Sequence, residues 1–185
     1  MWGQIVKCWY YSNSRPWYNS RYFGYKLNIM KTAIFVDVQN IYYTTRDTFG
    51  RSFNYKQFWN QIESKDEIIK ANAYAIDRGD EKQQKFQYAL RSIGFNVKLK
   101  PYISRADGST KGDWDVGITI DILESAEEAE KIILLSGDGD FDLLVRTVID
   151  KYGCIVDIYG VKELTANSLI ESASEFYSIS NKFLV

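Results

Sequence analysis

The stretch LLSGDGDFDLLV (134–145) crowds three aspartates, Asp138, Asp140 and Asp142, into five residues directly after an apolar run. Aspartate is a poor strand former and a poor helix-interior residue, so three at the joint between two ordered elements need a reason. Capping the following helix accounts for one of them. Asp142 belongs to the solvated first turn, where negative charge complements the helix dipole. For Asp138 and Asp140 two readings stand, a cap and a metal ligand. Carboxylates that converge without cations repel one another and raise their pKa values, and a divalent ion removes that cost. Mg2+ or Mn2+ is the expected ion, since both take oxygen ligands and keep coordination places for water and phosphate.

Asp37 sits far upstream inside the apolar run IFVDVQN. A carboxylate among Ile, Phe and Val needs a partner if it is buried. Asn40, three residues on, either orients a metal-bound water or a phosphate, or caps the next helix. KGDWDVGITID (111–121) supplies further acids. Asp115 lies near the start of a helix, where it caps or reaches the same rim, and Asp113 is a loop or cap residue. Asp121 follows Asp115 by six residues, about 240° around a helix, so the two cannot share a face. A structural salt bridge is the expectation for Asp121.

Composition narrows the chemistry. The 185 residues include no histidine, which excludes Ser-His-Asp and Cys-His catalysis and histidine-ligated metals. The two cysteines, Cys8 and Cys154, form no CxxC pair, so structural zinc and a disulfide scaffold are not expected, and a reducing compartment, the cytoplasm, is. A net charge of −1 argues against a strongly electropositive nucleic-acid binder but leaves room for a local basic groove. Arg78, Lys100, Arg105, Lys111 and Arg146 are the basic residues that would flank the acids, although each is more commonly a solvated surface charge. No apolar run approaches 18 residues, so no membrane span is expected.

The elements that must position these acids alternate. TAIFVDV is a buried strand, NYKQFWNQIES (54–64) a helix, EIIKANAYAI (67–76) a strand, DEKQQKFQYALRSIG (80–94) a helix stopped by Gly94, and FNVKLKPY (95–102) a third strand. A polar loop spans 103–113. A helix over 114–130, the strand KIILLSG, a helix over 140–153, the strand CIVDIYG (154–160) and a helix over 163–173 follow, with EFYSI (175–179) as an edge-strand candidate. This alternation predicts an α/β domain with a central, mostly parallel sheet of about five strands and helices on both faces. Ligands in such sheets sit beyond the carboxyl ends of the strands, so Asp37 and the Asp138–Asp140 pair should arrive on one rim.

Residues 1–29 differ from the rest. They hold four basic residues, nine aromatics and no acid, leaving −5 for residues 30–185. Met30 opens MKTAIFVDVQN like a natural start, so 1–29 reads as an extension outside the core fold. An aromatic and basic arm that stacks on single-stranded nucleic acid is the functional alternative.

Three ordered motifs, IFVDVQNIYY, KGDWDVGITID and LLSGDGDFDLLV, resemble the NYN domain family, in particular its bacterial LabA-like branch within the PIN-like nucleases. The resemblance runs over about 30–180. It implies a PIN-like three-layer α/β/α sandwich carrying a metal-dependent endoribonuclease site, with Asp37, Asp115, Asp138 and Asp140 as the catalytic, metal-binding acids. Asn40 follows the first acid as in the family's D-x-x-N pattern. Lys111 and Ser136 match positions near the rim and are candidate substrate-binding residues with it. PIN nucleases often have a further acid in the region of the second helix; Glu63 and Asp77 are guesses at it, so the number of metals stays open. RNA is the implied partner, and a homodimer stays open. The alternative is a non-catalytic PIN-like module that binds RNA or protein. A Toprim-like domain, which needs a glutamate after its first strand, and a haloacid-type phosphatase, which needs D-x-D on it, both fit less well.

Overall fold

The computed structural model describes residues 29–77, 79–101, 103–104, 110–111 and 113–185. All but Ile29 of the expected N-terminal extension lies outside them, as do Arg78 and Arg105.

Strand β1 (Lys31–Asp37) alternates strictly: Ala33 and Phe35 pack into one apolar cluster, Ile34 and Val36 into another. A strand buried on both faces belongs at the centre of a sheet. It pairs in parallel with β2 (Glu67–Asp77) on one side and β6 (Lys131–Leu135) on the other. Adding β3 (Asn96–Pro101), β7 (Ile155–Gly160) and β8 (Glu175–Ser178) gives a six-stranded sheet of order β3-β2-β1-β6-β7-β8, parallel throughout. The sheet is one strand wider than the five expected, because EFYSI does form an edge strand.

Helices α1 (Val38–Phe49), α2 (Tyr55–Glu63) and α3 (Glu81–Ile93) cover one face through Ile41, Phe58, Ile62 and Leu90. Helices α4 (Asp115–Ser125), α5 (Asp142–Tyr152) and α6 (Asn167–Ser172) cover the other through Ile118, Ile122, Val145, Val148 and Leu169. The result is a three-layer α/β/α sandwich.

Several bounds differ from expectation. Helix α1 is additional: Asp37 caps it and Gly50, left-handed at φ 63°, ends it. The polar loop contains a short antiparallel pair, β4 (Ile103–Ser104) with β5 (Thr110–Lys111). Helix α4 stops at Ser125 rather than 130, because the chain must turn into β6, and Glu130 accepts a hydrogen bond from the Lys31 amide at the start of β1. A 3-10 turn (Gly139–Phe141) precedes α5, and another (Lys162–Leu164) is separated from α6.

The strand order sets the functional rim. From β1 the chain builds outward through β2 and β3, then α4 returns it to the opposite side of β1, where β6 begins. The crevice beyond the carboxyl ends of β1 and β6 is therefore the topological switch point, where open α/β sheets bind ligands. Among the described residues no helix is long and apolar enough to cross a membrane.

Candidate metal centre

Val36 pairs with Leu135, so Asp37 and Ser136 leave the ends of β1 and β6 side by side. Asp37 becomes the cap of α1, its Oδ1 accepting from the Asn40 amide at 3.1 Å. Asn40 is therefore not the cap; it lies in the first turn of α1. Its Oδ1 accepts from the Gly137 amide at 2.9 Å, which ties the exit of β1 to the turn after β6.

That turn is held on every side. Ser136 is fully buried, and its hydroxyl oxygen accepts from the Asp138 amide at 3.2 Å. Asp138 in turn caps the 3-10 turn, accepting from the Asp140 amide at 3.1 Å. A Cβ on Gly137 would meet the Leu164 carbonyl oxygen at 2.8 Å, so the segment before α6 leaves room only for glycine. The Ala166 amide seals this approach with a 3.0 Å bond to the Gly137 carbonyl. Capping and ligation are thus not exclusive for Asp138: one carboxylate oxygen orders the turn that presents Asp140.

Asp115 arrives from the other layer. It is the first residue of α4, whose cap position is Trp114. The Trp114 indole donates to the Ala75 carbonyl at 2.9 Å, pinning the start of α4 to the end of β2. Its ring lies over Gly117, where a Cβ would approach to 2.7 Å, and Lys100 sits 4.3 Å from its centroid. Trp114 is a positioning residue that sequence reasoning passed over; the W-D-x-G spacing was its signal.

Asp115, Asp138 and Asp140 each place a carboxylate oxygen within 4.8 Å of the others. Asp37 lies outside that group of three but beside it. Burial first, then the charges of Asp115 and Asp138, push its pKa up to about 6 despite the bonds from Asn40 and Gln39 amides. Asp115 is also raised, by burial and by Asp138, Asp113 and Asp140, with Lys100 opposing. Lys100 itself donates to the Asp113 carbonyl at 2.7 Å rather than to a carboxylate of the group. Acidic oxygens that raise one another's pKa values, with no ammonium or guanidinium within their group among the described residues, suit a hard divalent cation. The donor set fits Mg2+ or Mn2+.

The remaining acids and bases divide. Asp121 makes the expected salt bridge, 2.6 Å to Lys98, and also accepts from Tyr74 and from Asn72. Asp142 stands in the first turn of α5. Asp77, at the end of β2, accepts from the Gly79 amide at 2.9 Å, and Glu63 ends α2, which leads into the opposite end of that strand. Lys111 closes the β4–β5 pair, opposite Ile103. Arg146 is exposed on α5.

The model of the NYN domain family matches residues 31–180. A curated relative, low amplitude and bright protein LabA of Synechococcus elongatus, is 31% identical over 124 residues, covering 63% of this chain. The match spans 66% of that relative, just under two thirds of its length. A crystal structure of a Vibrio parahaemolyticus protein of unknown function, VPA0982, is 50% identical and superposes with a TM-score of 0.81, covering 85% of this chain and 97% of that one.

Proposed function

The chain belongs to the NYN domain family, LabA-like, and on that premise we propose that it is a metal-dependent endoribonuclease. The family makes it a nuclease-type domain; the observation that carries the finer reading is the meeting of Asp115, Asp138 and Asp140 within 4.8 Å at the switch point of the sheet.

In this reading the three carboxylates, with Asp37 beside them, hold one or two Mg2+ or Mn2+ ions. A bound ion of this kind acidifies a water and neutralises charge on a phosphodiester undergoing in-line displacement. The chain's own part is arrangement. Asp138 fixes the turn that carries Asp140, Ser136 fixes the amide of Asp138, Asn40 clamps that turn to α1, and Trp114 fixes Asp115. Rigid first ligands need such outer support to keep their geometry. A chain without histidine can run this chemistry, because carboxylates and bound cations take the place of an imidazole base.

Incubation with a labelled single-stranded RNA tests the reading. Cleavage in Mg2+ or Mn2+, arrest by EDTA and loss in Asp138→Asn with the fold intact are expected. RNA binding with no cleavage under any divalent ion would instead make the domain a recognition module.

A further inference from the structure

We propose that the cavity between α1, α2, α3 and the end of β2 is a pocket for one unpaired nucleobase of the RNA strand that the carboxylates engage. This extension rests on the reading of the protein as acting on RNA.

The cavity measures about 540 Å3, within the range of sites for small organic ligands and larger than one base requires. Its walls are mostly apolar and include the rings of Tyr42, Phe53, Tyr55 and Phe86. Such rings suit the π-face of a base, and stacking of this kind tolerates any base identity.

Gln87 supplies the polar contact. It lines the cavity from α3, is 6% exposed, and its Nε2 is buried without a hydrogen-bond partner. A buried donor left unpaired is costly, and its natural remedy is an acceptor from whatever fills the space. Purine ring nitrogens and pyrimidine carbonyls are such acceptors. A purely apolar ligand would leave the amide unpaired.

Position argues for the same strand. Val38 and Gln39 line the cavity and follow Asp37 directly, and Tyr55 lines it from α2. A base in the cavity would therefore sit beside the phosphate held at the carboxylates. The exposed Lys82, in the first turn of α3, also lines it and offers charge to a neighbouring phosphate.

Fluorescence anisotropy with fluorescein-labelled hexauridylate and hexaadenylate tests this, with Ca2+ in place of Mg2+ and strand integrity checked on gels. Gln87→Met should weaken binding about 5- to 10-fold while the variant still unfolds cooperatively. Tyr42→Ala should weaken it about 5-fold or more. One abasic residue in the strand should lower affinity and abolish the difference between parent and Gln87→Met. If the parent binds and cleaves the strand and neither variant differs from it, the pocket assignment is overturned and the nuclease reading stands. If the parent binds no strand, both are overturned.

Discussion

Asn40 and Gly137, 97 residues apart in the chain, are joined by a 2.9 Å hydrogen bond from the Gly137 amide to the Asn40 side-chain oxygen. The bond crosses the switch point and fixes the distance between the helix that Asp37 caps and the turn that carries Asp138 and Asp140. Asn40→Leu leaves the buried Gly137 amide without its partner, which costs about 1–3 kcal/mol. It should lower the urea midpoint accordingly and weaken divalent-ion affinity about tenfold or more. Unchanged metal affinity in a destabilised but folded variant would restrict Asn40 to stability.

Asp37 trades stability for charge. Its pKa, about 6 in the folded chain against 3.8 ordinarily, means the folded state holds the extra proton between those values. In metal-free protein, the contribution of Asp37 to stability therefore rises as pH falls from 7 through 6 towards 4. Asp37→Asn keeps a capping side chain and removes the penalty. It should be more stable than the parent at pH 7.5 by up to about 3 kcal/mol, with the advantage gone near pH 4. Chemical denaturation across pH in EDTA checks this, and added Mn2+ should stabilise the parent more than the variant.

Asp121 carries the opposite sign. Burial alone would raise its pKa, but the hydrogen bonds from Lys98 and Tyr74 pull it below the usual carboxylate value. Its contribution is present above pH 4 and fades as pH falls through the lowered folded value. Asp121→Ala leaves Lys98 and Tyr74 without their acceptor and should cost about 3 kcal/mol at pH 7. The deficit should shrink below pH 4. A fold equally stable with alanine at pH 7 would contradict the role of this bridge.

What the sequence disclosed follows from where side-chain chemistry is local. Asp138 and Asp140 stand out because three acids on one turn exceed what capping uses. Asp121 separates from Asp115 by helical angle alone, and its bridge to Lys98 follows. The parallel sheet was legible from runs such as AIFV and IILL. Helix α1 was not, because Tyr42, Tyr43, Thr44 and Thr45 have strand-like propensities. There the cap at Asp37 and the fit of Ile41 against the sheet override them, and both threonine hydroxyls donate back to helix carbonyls, Thr44 to Asn40 and Thr45 to Ile41, each at 2.7 Å. Asn40 stands out through its spacing from Asp37 and Trp114 through its place beside Asp115, but their bonds to Gly137 and Ala75 span 97 and 39 residues, so no local pattern discloses those partners.

The account rests on the carboxylates sharing a cation, and electron paramagnetic resonance of a Mn2+ titration measures that directly. The parent should bind Mn2+ with an affinity that Asp138→Asn and Asp115→Asn each lower at least tenfold, both variants unfolding cooperatively like the parent. Equal Mn2+ affinity in the parent and both variants would contradict it.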